Sequence, residues 1–279
     1  MPNIRRATRA ELDTIIDWAA REGWNPGLED ANAFWTADPE GYWVATEEET
    51  LAAAISLVRY GSQYAFLGLY IADPAFRGRG IGRALWERAI ASAEGRVIGL
   101  DGVVAQQDNY RKSGFAWSHA NVRYGGGVDV SEPPGTQLID AAPVHVAALT
   151  DYDRRFNPAR REAFLYEWTK QLPTRRSLLM LRDGTIVGYG TIRACREGFK
   201  IGPLFADNET GADLIFRKLA AGVRGARVYL DIPEPNASAR ALCERYNMKP
   251  VFETARMYRG PAPDLPLPRI YGITTFELG

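Results

Sequence analysis

Three glycines and three arginines crowd into FRGRGIGRALW, Phe76 to Trp86, just ahead of an apolar pattern with helical spacing. Glycine lets successive backbone N–H groups approach an anion closely, and a helix starting near Ile81 adds its positive end. The amides of Arg77, Gly78, Arg79, Gly80, Ile81, Gly82 and Arg83 can thus form a phosphate cradle that needs no particular side chain. Arg77, Arg79 and Arg83 can add charge-assisted bonds. A plain strand-to-helix turn with solvated arginines is the competing reading. Two other phosphate motifs fail. No Lys-Ser or Lys-Thr follows the glycines, as a P-loop requires. A dinucleotide fingerprint finds Asp101 near the right distance for a ribose, but it needs glycine at Arg83 or Leu85 and a tight turn after the strand.

Other chemistry is sparse. Two histidines, His119 and His145, leave little room for a zinc site or a Ser-His-Asp triad, and two cysteines, Cys195 and Cys243, are too few for a disulfide framework. The work falls to carboxylates, tyrosines, backbone groups or a bound cofactor. Lys and Arg total 34 against 34 Asp and Glu, so no basic excess points to nucleic acid or an anionic membrane. MPNIRRATRAELD lacks a secretory apolar core, and no apolar run approaches membrane-spanning length. A reducing cytoplasm is the expected compartment.

The elements that must position these residues alternate as a mixed α/β fold. In the first half, ELDTIIDWAAREGW places Leu12, Ile15, Ile16 and Ala19 at helical spacing. YWVATEE, LAAAISLVRY and YAFLGLYIA read as strands, followed by the glycine turn, a helix, the strand VIGLDGVVA, a short helix over QQDNYRKSG and the strand WSHANVRYG. The second half repeats the order. Asp183-Gly184 turns a hairpin, and Leu100-Asp101 recurs as Leu230-Asp231 at an offset of 130 residues. The spacing predicts two copies of one fold, residues 1–128 and 136–279, joined by the polar, proline-rich GVDVSEPPG.

The phosphate turn fits R-x-x-G-x-G through Arg77, Gly80 and Gly82, after a strand ending LYIADP. It resembles the pyrophosphate-binding signature of the GNAT superfamily of N-acetyltransferases. NYRKSGF, Asn109 to Phe115, is similar to that superfamily's Y-x-K-x-G-F segment. The tandem order and the phrase EGWNPGLEDANAFWTADPEG also look like the YitH-like branch, in which two such domains are fused.

The resemblance implies two tandem domains, each a central mostly antiparallel sheet with a splayed parallel strand pair flanked by helices. It implies acetyl-coenzyme A as donor and no metal. Backbone groups of Leu69, Tyr70 and Ile71 would hold the pantetheine arm, and the amides from Arg77 to Arg83 the pyrophosphate, with Asn109 also in the cofactor set. Tyr110 would be the general acid toward the leaving sulfur. The fourth strand has no carboxylate where many relatives keep a glutamate, so Asp101 would serve as the base, directly or through water; a turn former or ion-pair partner is the equal competing reading. Trp24, Asn25 and Phe34 would shape the pocket for a small amine or amino-acid-like acceptor, in a monomer or homodimer, with core or lid packing the safer reading of Phe34. The second copy carries Asp207, Glu209 and Thr210 in its turn and Cys243 at the tyrosine position. It is expected to be degenerate, structural or part of the acceptor site, with its closing strand possibly exchanged between halves. A non-catalytic acyl-coenzyme A sensor is the alternative, and a nucleotide-dependent oxidoreductase a third reading.

Overall fold

Thr8 starts the first helix with a reciprocal cap: its hydroxyl accepts from the Glu11 amide while the Glu11 carboxylate accepts from the Thr8 amide. The helix that follows, α1 (Arg9–Arg21), turns Leu12, Ile15, Ile16 and Ala19 into the core, as their spacing predicts. The computed structural model describes residues 2–134 and 137–279. Gly135, where the anticipated linker ends, and residue 136, where the second copy was to begin, lie outside the described residues.

The first half runs β1 (Asn3–Arg6), α1, α2 (Asp30–Ala37), β2 (Tyr42–Glu47), β3 (Thr50–Tyr60), β4 (Tyr64–Ala72), α3 (Ile81–Ala91), β5 (Val97–Val103), α4 (Gln107–Lys112) and β6 (Ala116–Gly127). The second runs β7 (Leu138–Asp140), α5 (Val146–Asp153), α6 (Glu162–Trp168), β8 (Arg175–Arg182), β9 (Thr185–Ala194), β10 (Phe199–Ala206), α7 (Glu209–Ala221), β11 (Arg227–Pro233), α8 (Ala237–Arg245), β12 (Lys249–Arg259) and β13 (Ile270–Gly272). The hairpin between β8 and β9 turns at Asp183 and Gly184, both at positive φ.

All of these strands join one sheet, in the order β1-β2-β3-β4-β5-β12-β6-β11-β10-β9-β8-β7, with β13 against β10. The two halves therefore trade strands. β12 of the second half pairs with β5, and β6 of the first pairs with β11. The closing strand was expected to make the exchange. It does not: β13 stays with its own half on β10. β6 and β12 have similar lengths, 12 and 11 residues, and neither sequence reveals which partner it takes.

Three apolar clusters hold the sheet. One lies under α3, with Leu67, Leu85 and Trp86; another under α7 and α8, with Ile215, Phe216 and Leu242. The third is shared by the halves and packs α1 and α2 with α5 and α6. Phe34 belongs there. It is fully buried and stacked on Trp168 with ring centroids 6.3 Å apart.

Candidate active site

β4 and β5 run parallel from Tyr64 opposite Val97 to Leu67 opposite Leu100, and then part. A register shift between β3 and β4 bends the strand near Gly68, and buried Leu69 sits at φ +46. That left-handed backbone is strained for leucine by about 1–2 kcal/mol, and surrounding packing must hold it. Beyond the parting lies a cleft of about 520 Å³, lined by Leu67 to Ala72, by Leu100 to Val103, and by Arg77, Gln106 and Tyr110. Trp24 and the second half's Phe252, Thr254, Phe276 and Glu277 close it.

The glycine turn leads from the cleft into α3. Asp73 accepts from the Ala75 amide and starts the turn. Gly80, at φ +78, caps α3 with no side-chain acceptor, which leaves first-turn amides of that helix open to an anion. Gly82 lies close against Tyr70: a Cβ there would be 2.8 Å from the Tyr70 hydroxyl oxygen, which would have to shift. The arginines are engaged with the protein. Arg77 donates to the Ala72 carbonyl at 2.9 Å and to Glu22 at 2.5 Å; Arg79 pairs with Glu47 and Arg83 with Glu87. All three pairs are exposed and weakly held, so they can yield to a competing anion. Asn109 is exposed on α4 and donates to Gln106 Oε1 at 2.7 Å; it does not line the cleft.

Tyr110 lies at the cleft with its ring stacked on Trp86, centroids 5.7 Å apart. Burial, with a smaller contribution from Tyr70, pushes its phenol up to about 12. It therefore stays protonated at neutral pH and is able to donate.

Asp101 also lines the cleft, but its oxygens are taken. Arg256 Nε and Nη2 donate to its two oxygens at 2.8 and 2.7 Å, and Asn121 Nδ2 adds a third bond at 2.7 Å. The expected base is thus the buried counter-ion of an arginine 155 residues away. Burial of Arg256 called for a partner, and the strand exchange supplies Asp101 as that partner.

Of the three residues expected at the acceptor pocket, Trp24 lines the cleft, Phe34 is in the shared core, and Asn25 faces the second half. Asn25 exchanges hydrogen bonds with the Glu197 backbone, its Nδ2 donating at 2.8 Å and its Oδ1 accepting at 3.2 Å. The whole loop is held from that side. Buried Lys200 donates to the carbonyls of Trp24 and Asn25, and the Leu28 amide donates to the Ala194 carbonyl. Asp30 is fully buried against Arg175 and Arg193. Burial works to raise its carboxyl, but Arg193 and Arg175 outweigh that and hold it below the ordinary range. Arg123 pairs with Asp231 nearby at 2.6 Å. Nothing in the sequence marks Lys200 or Arg256 for this site. The lone carboxylate in the apolar run ITTFELG was the one signal pointing to Glu277.

The second half repeats the parting and then fills it. β10 and β11 pair from Phe199 opposite Val228 to Ile201 opposite Leu230 and separate. β13 pairs with β10 beyond that point, Gly272 opposite Leu204, and the next residue, Ile273, donates to the Asp231 carbonyl of β11 at 2.8 Å. Its turn is closed as well. Asn208 caps α7 through the Gly211 amide at 2.9 Å, where α3 has no such acceptor. Asp207 is held by Tyr152 and Arg155, and Cys243 is buried with its thiol pushed up to about 12 by burial. Among the described residues no cluster of His, Cys, Asp and Glu is arranged for a metal, and no helix is long and apolar enough to cross a membrane.

Two parted strand pairs, one open and one filled, and a glycine turn feeding a helix define a duplicated acyltransferase fold. Residues 9–115 match the Acetyltransferase (GNAT) family and residues 149–272 an Acetyltransferase (GNAT) domain. The chain belongs to the GNAT family of acyltransferases, as a tandem of two such domains. It is 30% identical over 276 residues to the holothin acyltransferase of Pseudoalteromonas sp. (strain SANK 73390), covering 98% of this chain and 93% of that protein. A solved chain from Pyrococcus horikoshii superposes with a TM-score of 0.81 at 23% identity, over 100% of this chain and 96% of the other. A tandem GNAT protein from the clavulanic acid biosynthesis pathway superposes at 0.64 with 16% identity, over 94% and 100%. These two share the fold.

Proposed function

We propose that the chain transfers an acetyl group from acetyl-coenzyme A to a primary amine of a small molecule, using the cleft of its first half. The parting of β4 from β5 after Leu67 and Leu100 carries this reading. It leaves backbone groups of Leu69, Tyr70 and Ile71 without a β5 partner, and these suit an amide-bearing pantetheine arm. The open amides at the start of α3 suit the donor's diphosphate, with Arg77, Arg79 and Arg83 free to turn from surface glutamates toward it.

The chemistry is direct transfer. The amine nitrogen attacks the thioester carbonyl, whose developing negative charge is met by β4 amides. The C–S bond then breaks, and the thiolate takes a proton from Tyr110 as the nitrogen loses one. The chain's own cysteines take no part, since burial raises the thiols of both Cys195 and Cys243. The acceptor enters between Trp24, Phe252 and Phe276, aromatic faces suited to an apolar or cationic amine. Holothin, named in the relative, is the first acceptor to try. Both walls of the cleft come from one chain, so a monomer is sufficient for activity.

Isothermal titration with acetyl-coenzyme A, followed by thiol release across an amine panel that includes holothin, tests this. Micromolar binding with amine-dependent thiol release is expected. No binding at millimolar donor overturns it, and binding without turnover on any amine leaves a non-catalytic acyl-coenzyme A-binding module.

A further inference from the structure

Glu277 is 2% exposed, and neither of its carboxylate oxygens has a hydrogen-bond partner among the described residues, yet it lines the cleft beside Leu69 and Tyr70. A buried carboxylate is ordinarily paired, and one left without partners at a cleft wall is waiting for a ligand or a proton. We infer that Glu277 is the base that takes the proton from the acceptor amine, an assignment that rests on the transfer reaction proposed above.

Its placement is tight. A Cβ on Gly68 would lie 2.1 Å from the Glu277 carbonyl oxygen and 3.1 Å from its Cα, so its backbone presses on β4 where that strand leaves β5. Both halves fix the segment: Thr275 Oγ1 accepts from the Leu278 amide at 2.8 Å, and Tyr60 donates to the Leu278 carbonyl at 3.1 Å. The charges that face Glu277 come from several elements. Lys200 is on β10, Asp30 on α2, Arg193 on β9 and Arg123 on β6. Arg193 is matched by Asp30 and Arg123 by Asp231, whereas Lys200 donates only to carbonyls and has no carboxylate partner among the described residues. Burial raises the Glu277 carboxyl while Lys200 opposes it, a balance suited to a group that gains and loses a proton. Asp101 is bound by Arg256 and Asn121, as described above.

The step balances. An ammonium N–H bond breaks and its proton goes to a Glu277 oxygen. The freed lone pair forms the C–N bond, the C–S pair leaves on sulfur and takes a proton from Tyr110, and the nitrogen's second proton, lost as the amide forms, returns to the Tyr110 phenolate. Glu277 releases its proton to solvent as product departs.

The test uses the full chain as wild type, Glu277→Gln and Glu277→Asp. Thiol release is followed from pH 6 to 10 with an alkyl amine and with a weakly basic aromatic amine, alongside acetyl-coenzyme A titration. Glu277→Gln should lose about 100-fold or more in kcat/KM for the alkyl amine. Its donor affinity should stay within about twofold of wild type, its residual rate should climb with pH, and the loss should shrink for the aromatic amine, which is already neutral. Glu277→Asp should recover part of the rate. Alkyl-amine activity within about threefold of wild type overturns the assignment, as does donor binding that falls in step with activity. If Glu277→Gln does not fold, the wild-type alkyl-amine profile decides: an acid limb that levels off well below the amine's own pKa supports the base, and a rate that keeps climbing up to that pKa overturns it. A wild type that neither binds donor nor releases thiol instead defeats the proposed function.

Discussion

Arg256 on β12 grips both carboxylate oxygens of Asp101 on β5, at 2.8 and 2.7 Å, and so ties the second half's exchanged strand to the wall of the first half's cleft. Both side chains are buried. Removing one partner leaves a charge uncompensated in the interior, so Arg256→Met should destabilise the protein by about 3–5 kcal/mol. Arg111→Met, which breaks an exposed pair with Asp108, should change stability by less than about 0.5 kcal/mol. Urea unfolding of the two variants makes the comparison.

Tyr110→Phe should lower kcat about 100-fold, with donor affinity and melting temperature nearly unchanged. Only the hydroxyl is lost, and the ring keeps its stacking on Trp86. Because burial holds this phenol near about 12, it remains protonated through the accessible range. The wild-type kcat profile should therefore show no basic limb from Tyr110 below pH 10.

Gly82→Ala should weaken acetyl-coenzyme A binding about tenfold, since the new methyl meets the hydroxyl of cleft-lining Tyr70 at 2.8 Å and displaces that side chain. Adding Tyr70→Phe removes the clash. The double variant should bind better than Gly82→Ala alone, a non-additivity that titration of all four proteins measures directly.

Titration should find one donor per chain. β13 fills the second parting, and Asn208 accepts from the Gly211 amide at the start of α7. A stoichiometry of two would contradict this account of the second half.

His119 gives a pH signature. Burial first, and Arg256 next, hold its imidazole down to about 3, against an ordinary value near ~6.5. Below that ordinary value the unfolded chain takes up a proton that the folded chain refuses, so stability is full above it and falls with pH until about 3. At pH 5 the loss is on the order of 2 kcal/mol. His119→Gln should flatten stability between pH 7 and 5, read by urea midpoints at each pH.

Local features of this molecule were legible in its sequence. The glycine turn announces itself because positive φ and close approach select glycine wherever they occur, as at Gly80 and Gly82. The Asp183-Gly184 hairpin and the capped amphipathic helix α1 follow from residues within a few positions of one another. What stayed hidden depends on distant partners. Asp101 reads equally as a base or as an ion-pair partner until Arg256 is beside it, and Phe34 reads as either a packing or a pocket aromatic until Trp168 stacks on it. Asn25 looked available to a ligand, yet Glu197 claims its amide. The role of the residues after β13 was similarly out of reach, because their meaning comes from the two clefts they cross.

The traded strands also set a timetable for synthesis. β5 emerges from the ribosome with an unpaired edge, and its final neighbour, β12, follows about 155 residues later. At ordinary translation speeds that is a wait of roughly 8 to 30 seconds. Throughout it, the nearest available strand is β6, whose permanent seat is between β12 and β11. Until β12 arrives, that edge of β5 is open to pairing with any strand that reaches it.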